Sequence, residues 1–441
     1  MTPALTQPEF TEEFEKRTYW RVIVRLMPFL FFCYVFAYLD RVNVGFAKLQ
    51  MQQDLGISDA VYGAGAGIFF IGYFFFEVPC NIALQKIGAK YWLGPIMIVW
   101  GFVSACTMFV KTAHEFYAVR FLLGVVESGF FPGVILYLTF WFPSKYRAKM
   151  VAAFMTANPI SGVIGGPISG WILEMANSAG GLRGWQWLYI FEAVPSVLAG
   201  LAAMLLLQNG PDHARWLDAR EKELLVNRLR LDETTRRAAA PGHHSFTDAF
   251  RSGKTWLLCF VYFGFVMCNY GLNFWLPQIV KETITKDALQ IGLLTTIPYA
   301  LATIAMVLNG HHSDVTGERR WHIALPGLAG AIAFACSGIP GISGVAGLIA
   351  LTIGTAAIAC SYSTFWALPT AILSGTAASA GIAWINSVGN LAGYFSPFLV
   401  GVIRDWTHSM TLALLMLSVS ALGAALITMI FFKQRTAPGR L

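Results

Sequence analysis

One stretch of the sequence, residues 116–142, is apolar over a length that can cross a bilayer, yet it carries two charged residues inside it. A membrane-spanning helix needs about 20 largely apolar residues. Each charge at the centre of such a helix costs ~2.5–3.5 kcal/mol on insertion scales. The two residues, Arg120 and Glu127, are about two helical turns apart and lie on one face. That face cannot contact lipid, so we expect it to contact a partner charge or to line a water-filled cavity.

Composition places most of the chain in lipid. Of 441 residues, 56% are hydrophobic and only 12% are charged, whereas about 25% are charged in a soluble protein. Long apolar runs recur from end to end and predict an all-α membrane protein. The net charge is +7, and the basic residues lie mainly in loops between apolar runs. We therefore expect these residues to orient the chain in the membrane, and we expect no nucleic-acid partner. The seven cysteines lie in apolar runs without metal-ligand spacing, so we expect no metal and no cofactor.

Twelve apolar segments are predicted to span the membrane, six on each side of the polar residues 209–255. This division predicts an N-terminal six-helix bundle over residues 1–208 and a C-terminal six-helix bundle over 256–441. Within the polar linker, residues 215–230 have the pattern of an amphipathic helix, which could lie on the membrane surface or act as a solvated tether. The predicted spans cover roughly residues 22–45, 60–80, 91–111, 116–142, 150–175, 185–208, 256–279, 288–310, 322–341, 345–368, 378–403 and 410–432.

Lysine and arginine residues are distributed unevenly between the two sets of loops. If both termini are cytoplasmic, 23 of the 31 basic residues lie in inner segments and six lie in outer loops. Basic residues concentrate in cytoplasmic loops of membrane proteins. The asymmetry therefore predicts a multi-pass protein of a bacterial inner membrane with both termini and the linker inside.

A short polar pattern occurs after the second span of each predicted half. Four residues after span 8 have the spacing G-x-x-x-D-x-x-G-x-R, and a degenerate copy with the same offsets follows span 2. Such a repeat is expected of two fused, related six-helix units. The span-8 copy consists of Gly310, Asp314, Gly317 and Arg319, and the span-2 copy of Asn81, Gln85, Gly88 and Lys90.

Span 1 ends in the segment YLDRVNVGFA, which contains the adjacent charges Asp40 and Arg41. Neighbouring residues of a helix point about 100° apart, so these side chains cannot simply face each other. Each therefore needs another partner, which could be a span-4 charge, water or a ligand. Two acids and two bases around one cavity can roughly neutralise one another. Arg41 is expected near the end of its span.

Four segments together resemble the anion:cation symporter family of the major facilitator superfamily. They are YLDRVNVGFA in span 1, FFFEVPCN in span 2, RFLLGVVESGFFPGVILYLTFWFP in span 4 and GHHSDVTGER after span 8. That family includes bacterial carriers for tartrate, galactonate, phthalate and hydroxyphenylacetate. The resemblance implies a twelve-helix major facilitator fold, two pseudo-symmetric halves and import of a small organic anion with protons by a monomer using alternating access.

The resemblance also assigns roles to individual residues. In that family a span-1 aspartate and a span-4 glutamate carry protons, which here are Asp40 and Glu127. Two arginines contact the substrate anion, which here are Arg41 and Arg120. The implied gating loop is Gly310, Asp314, Gly317 and Arg319. Further candidate substrate contacts are Tyr38, Tyr73, Asn269, Asn273, Ser363, Thr364 and Asn390.

The chemistry of these residue types agrees with an anion carrier. An arginine offers a planar fork to a carboxylate and stays charged, whereas a carboxyl group in an apolar cavity binds a proton more readily than one in water. A carrier for an aromatic carboxylate, or an uncoupled facilitator or exchanger, stays open. A sensor and a membrane enzyme are disfavoured because the chain contains no signalling domain and no nucleophile–base or metal set. Glu77 and Glu192 are interpreted as packing or gating groups.

Thiol labelling tests the predicted orientation. A membrane-impermeant thiol reagent should label a cysteine placed at Ser178 in intact cells, because that loop is predicted to be external. A cysteine placed at Ala239 should react only after lysis. The chain with its seven native cysteines alone is the control, and the opposite labelling pattern would overturn the orientation.

Overall fold

The structure is a computed structural model that describes residues 10–238, 252–372 and 376–432. The labelling position Ala239 lies outside these residues. Within them, twelve long helical segments occur where the sequence predicts spans, which confirms the predicted all-α fold. Their bounds are Glu12–Val42 continued by Val44–Leu55, Asp59–Ile87, Ala89–Cys106, Ala113–Glu127 continued by Phe130–Thr139, Ser144–Met155 continued by Ala157–Met175, Gly184–Leu206, Gly253–Thr283, Ala288–Thr316, Arg320–Ser337, Gly344–Phe365 continued by Ala367–Ile372, Thr376–Thr407, and Thr411–Phe431. They are numbered span 1 to span 12 in this order.

Polar side chains fix where several spans begin. Ser58 and Asp287 each accept a hydrogen bond from a backbone amide in the first turn of spans 2 and 8. Thr112 and Glu115 form a reciprocal capping box at the start of span 4. Such caps satisfy amides that have no partner inside the helix. By length and composition, ten of the described segments are apolar enough to cross a membrane, and spans 9 and 11 complete the twelve.

The two six-helix halves pack by the same scheme. In the N-terminal half, span 3 packs on span 6 and span 2 packs on span 4. In the C-terminal half, span 9 packs on span 12 and span 8 packs on span 10. Between the halves, span 2 packs along span 11 and span 8 packs along span 5. If spans 1–6 are taken to correspond in order to spans 7–12, each of these pairings has its counterpart in the other half. This is expected of two related six-helix units.

The halves are joined tightly at one end of the bundle, which we call the odd-loop end because it carries the loops after odd-numbered spans. Asp59 at the start of span 2 forms ion pairs with Lys48 at 2.7 Å and with Arg404 of span 11 at 2.9 Å. The Asp405 carboxylate accepts hydrogen bonds from the backbone amides of Asp59 at 3.0 Å and Ala60 at 2.9 Å. We call these four side chains, Lys48, Asp59, Arg404 and Asp405, the odd-end clamp.

Glycines allow the helices of the two halves to approach closely near this end. A Cβ atom added to Gly166 of span 5 would lie 2.9 Å from the Thr295 hydroxyl and would also collide with the carbonyl oxygen of Gly292 in span 8. Small residues permit such close packing of membrane helices. Spans 5 and 8 therefore meet backbone to backbone, which brings residues of both halves around the centre of the bundle.

The linker contains a helix, Ala219–Ala238, that packs against the N-terminal half. Its apolar side chains Leu224 and Leu225 are fully buried in protein. Arg228 pairs with Glu15 at 2.7 Å, and Glu221 pairs with Arg21 of span 1 at 3.0 Å. The apolar face of this helix is therefore buried in the protein at Leu224 and Leu225, while Leu231, two turns further on, is exposed.

Asp59→Asn tests the odd-end clamp. The substitution leaves the ammonium of Lys48, whose side chain is 0% exposed, without a carboxylate in the protein interior. Breaking a buried ion pair in this way costs about 3–5 kcal/mol, so the melting temperature of the purified protein should fall clearly.

The matched control is Asp54→Asn at the same end of the bundle. Asp54 pairs with Arg183, whose side chain is 59% exposed, and exposed pairs contribute only about 0–1 kcal/mol. Equal melting temperatures for the two variants would show that the clamp does not hold the halves together.

Candidate functional site

Arg41 of span 1 and Glu127 of span 4 form an ion pair inside the bundle. Glu127 Oε2 accepts hydrogen bonds from Arg41 Nη2 at 2.9 Å and from Arg41 Nε at 3.3 Å. The side chain of Glu127 is 1% exposed and that of Arg41 is 13% exposed. The pair is therefore enclosed, with the guanidinium as its more accessible member.

The sequence analysis left a span-4 charge open as the partner of Arg41, and Glu127 of span 4 is that partner. Arg120, the basic residue on the same face of span 4, does not form this ion pair. Arg41 lies in the last turn of the helix Glu12–Val42, which Val44–Leu55 continues beyond it. The long-range contact between spans 1 and 4 decides the pairing, which the spacing within span 4 cannot show.

Arg120 is fully buried and contacts Phe69 and backbone carbonyls. One guanidinium nitrogen, Nη2, donates to the carbonyl oxygens of Arg41 and Ala66, both at 3.3 Å. Its Nε and Nη1 atoms have no hydrogen-bond partner among the described residues. The guanidinium carbons of Arg41 and Arg120 lie 5.0 and 5.3 Å from the centroid of the Phe69 ring. Cation–π attraction to this one ring holds the two cations close together.

Asp40 points away from Arg41 into the N-terminal half. Its carboxylate accepts hydrogen bonds from Trp100 Nε1 at 3.1 Å, from Ser104 Oγ at 3.0 Å and from Ser196 Oγ at 2.8 Å. Asp40 is 0% exposed. Its partners among the described residues are therefore neutral donors from spans 3 and 6.

Aromatic residues of both halves surround the Arg41–Glu127 pair. Tyr73, one turn after Phe69, lies 5.4 Å from the Arg41 guanidinium. The ring of Tyr270 in span 7 lies 4.4 Å from that of Phe70, the residue after Phe69, so it contacts the N-terminal half across the junction. Tyr38 is buried in span 1, with its ring 6.5 Å from that of Tyr34. The predicted contact Tyr73 therefore belongs to the same region as the charges.

The predicted polar contacts of the C-terminal half lie in different surroundings. Asn273 donates to the carbonyl oxygen of Asn269 at 2.9 Å and accepts from the Tyr299 hydroxyl at 2.7 Å, so it lies at the junction of the halves. Thr364 accepts a hydrogen bond from Asn309 of span 8 at 2.9 Å. Ser363 bonds to its own helix at Cys360 O. Asn390 is half-buried in span 11.

The predicted gating loop forms the end of span 8. Gly310 and Asp314 are helical, and Gly317 ends the helix with a φ of 68°. This left-handed conformation is readily adopted by glycine and is typical of a residue just after a helix. Arg319 forms an ion pair with Asp314 and donates to Ser313 Oγ at 3.0 Å. The pattern therefore builds a helix terminus closed by an ion pair.

Sequence reasoning missed several residues of this region, although helical spacing offered a signal for some. Phe69 lies four residues before Tyr73, and Ser196 lies four residues after Glu192, so each shares a helical face with a residue that had been noticed. Trp100 and Ser104 of span 3 are also four residues apart, but nothing in the sequence indicated that they contact Asp40.

Two pseudo-symmetric six-helix halves with buried charges near their junction define a membrane transporter. The chain belongs to the Major Facilitator Superfamily, whose family model matches residues 30–397. It is therefore a transporter and not an enzyme.

Relatives of similar length support this membership. The chain is 46% identical to "Putative metabolite transport protein NicT" of Pseudomonas putida, over 90% of this chain and 91% of the relative. It is 44% identical to a "Putative tartrate transporter" of Agrobacterium vitis, over 96% and 93% of the two chains.

Solved structures show the same fold at low identity. A bacterial homologue of the human lysosomal transporter Spinster, in an inward-facing and unoccupied conformation, matches with a TM-score of 0.76 and 14% identity, covering 98% of this chain and 100% of that one. A D-xylose-proton symporter matches with a TM-score of 0.73 and 14% identity, covering 93% and 98%.

Substitution of each arginine by methionine should affect stability differently. Arg41→Met leaves the buried Glu127 carboxylate without its cation, which costs about 3–5 kcal/mol. Arg120→Met removes a buried cation with two unpartnered nitrogens, so stability should be unchanged or higher. Denaturant unfolding of the purified variants measures both effects.

Arg183→Met is the control for this comparison, since the Arg183 side chain is 59% exposed. If Arg120→Met destabilised the protein as much as Arg41→Met, the assignment of Glu127 to Arg41 alone would be contradicted.

Proposed function

We propose that this chain is a proton-coupled symporter that imports a small organic anion, such as tartrate or another hydroxy-carboxylate or sugar acid, by alternating access. The observation that carries the proposal is the buried ion pair of Arg41 and Glu127, in which Arg41 has as its ion-pair partner within the described residues a carboxyl group that can be protonated. The names of the relatives support a carboxylate as the cargo.

In this proposal Glu127 and the substrate carboxylate compete for Arg41. While Glu127 is ionised, its charge-assisted hydrogen bonds occupy Nε and Nη2 of Arg41. A proton on Glu127 removes the charge from the acceptor and weakens these bonds. The guanidinium fork is then available to a substrate carboxylate, which it fits with two parallel hydrogen bonds. Binding of the anion thus requires binding of a proton, and this requirement couples the two.

Arg120 and Asp40 complete the proposed site. Arg120 keeps the region positive when Glu127 is neutral, and its Nε and Nη1 atoms offer unused donors. Asp40 is the second proton carrier that the family resemblance implies, held by three neutral donors. Import of two protons with one monoanion moves one net positive charge into the cell. Import of two protons with one dianion moves no net charge.

The proposed orientation places the odd-loop end outside, because the basic residues favour a cytoplasmic position for both termini. The odd-end clamp then seals the external side, so the structure corresponds to a state closed to the outside. Import requires the ion pair of Asp59 and Arg404 to break each time the carrier opens outward. The proposed carrier acts as a monomer in a bacterial inner membrane.

Hydroxyl and amide groups near the charges favour a hydroxy acid. Tyr299 and Asn273 bond to each other at the junction, where both line a small cavity together with Asn43 of span 1. These groups can instead bond to substrate hydroxyls that flank the carboxylate. Asn269, Ser363, Thr364 and Asn390 stay candidates for further contacts.

An aromatic carboxylate is the second candidate substrate. The rings of Phe70 and Tyr270 lie 4.4 Å apart, and Tyr270 stacks on Phe274 at 5.8 Å. Aromatic side chains around an arginine suit a ring that carries a carboxylate. The two candidates are separated by whether tartrate or benzoate competes better for uptake.

Glu127→Gln tests the proposed coupling in proteoliposomes. The wild-type protein should accumulate tartrate when a proton gradient is imposed, and an uncoupler should abolish the accumulation. Glu127→Gln should lose accumulation, because glutamine cannot exchange a proton. Exchange of internal for external tartrate should survive, because both arginines remain.

Glu223→Gln, at an exposed position of the linker helix, is the matched control and should behave like the wild type. The proposal fails if Glu127→Gln accumulates tartrate normally. Wild-type uptake that an uncoupler leaves unchanged would instead favour a facilitator or exchanger.

A further inference from the structure

Glu192 of span 6 is a buried carboxylate that the mechanism above does not use. It is 6% exposed, and one oxygen, Oε1, accepts a hydrogen bond from Ser169 of span 5 at 3.1 Å. Its other oxygen, Oε2, has no hydrogen-bond partner within the described parts of the chain. A carboxylate held by one neutral donor inside a membrane bundle is costly in its charged form.

Glu192 shares its surroundings with Asp40. Ser196, one turn further along span 6, donates to Asp40 Oδ2 at 2.8 Å and also approaches the carbonyl oxygen of Glu192 at 3.4 Å. Glu192 and Asp40 therefore flank the same serine, one through its hydroxyl and one through the preceding turn of span 6. Tyr189, one turn before Glu192, is fully buried, and its hydroxyl has no partner among the described residues.

A small cavity at the junction of the halves adjoins this acidic pair. Its volume is about 20 Å³, which is enough for a water molecule, since one needs ~10–15 Å³. Its wall includes Asn43 and Ser169 from the N-terminal half and Thr295 and Asn273 from the C-terminal half. Asn43 is 2% exposed, and neither atom of its amide forms a hydrogen bond within the described residues.

Polar groups lie between the cavity and the two acids in an otherwise apolar interior. Ser169 lines the cavity and donates to the Glu192 carboxylate, and Ser196, one turn from Glu192, donates to Asp40. Two carboxylates in one poorly hydrated region cannot both be ionised without a large cost. At least one proton must therefore be held by this pair, and the Ser169 hydroxyl connects Glu192 to the cavity from which a proton can arrive.

We propose that Glu192 is a third proton-binding site of this carrier, filled from the cavity between the halves and sharing its proton load with Asp40. In this step a hydronium ion in the cavity loses one O–H bond and becomes water, while a carboxylate oxygen of Glu192 gains that proton in a new O–H bond; the reverse transfer to water releases the proton as hydronium. The proposal rests on the proposed proton coupling for its role in transport. Because the cavity is built from both halves, their relative movement opens or closes access to Glu192.

Infrared difference spectroscopy of the purified full-length protein tests the site directly. Spectra taken as the medium changes from acid to alkaline show the carboxylic C=O band of each acid that loses a proton. Glu192→Gln should lose one such band and shift the band of Asp40, its neighbour. Ser169→Ala should keep the Glu192 band but shift it, because the hydrogen bond to Oε1 is removed.

Glu77→Gln is the matched control. Glu77 is another carboxylate of the N-terminal half, in span 2, and it should contribute a band of its own without affecting the band of Asp40. Glutamine at position 192 keeps an acceptor for Ser169, so the fold should persist. The proposal is overturned if the spectrum of Glu192→Gln superimposes on that of the wild type.

Transport measurements separate this inference from the proposed function. With tartrate as the probe, Glu192→Gln should accumulate less than Glu77→Gln under the same proton gradient and should keep tartrate exchange. If the wild type moved no tartrate, the proposed function would fail, while loss of the infrared band would still support a proton site at Glu192. If Glu192→Gln accumulated as much tartrate as Glu77→Gln, Glu192 would have no part in coupling transport to protons.

Discussion

The buried ion pair of Arg41 and Glu127 is the interaction on which the rest of the account depends. Taking two charges out of water is expensive, and their attraction repays the cost only when geometry and surroundings are favourable. Here the surroundings are the ring of Phe69, the neighbouring guanidinium of Arg120 and the carbonyl oxygens of span 1 and span 2. The site holds two guanidinium cations and only one carboxylate in a low dielectric, and that carboxylate can be neutralised by a proton. Its excess positive charge favours binding of a second anion.

The fold places this site where the two halves meet, and ionic contacts close the odd-loop end of the bundle. The odd-end clamp joins spans 1, 2 and 11 through Asp59, while glycines bring spans 5 and 8 together nearby. The ion pairs of the clamp and the close packing of spans 5 and 8 can each break and form again when the halves move. In the proposed alternating-access cycle, movement of one half against the other exposes the central charges to alternate sides of the membrane.

Much of this arrangement could be predicted from the sequence, because apolar length and charge are local signals. The runs of apolar residues gave the twelve spans, and the charges inside spans 1 and 4 pointed to Arg41, Arg120 and Glu127. The partners of these charges were not predictable, since they depend on helix packing. Glu127 pairs with Arg41 through the crossing of spans 1 and 4, and Asp40 finds its donors in spans 3 and 6. Trp100 and Ser104 are ordinary residues of a membrane helix, and nothing in the sequence connected them with Asp40.

The central claim is that a proton must replace Arg41 as the partner of Glu127 before a substrate carboxylate can bind. Titration calorimetry of the purified protein with tartrate, repeated in buffers of different ionisation enthalpy, measures the protons taken up on binding. The account predicts a binding heat that changes with the buffer, corresponding to about one or more protons taken up per tartrate bound at neutral pH. Tartrate binding with a heat that is the same in every buffer would contradict it.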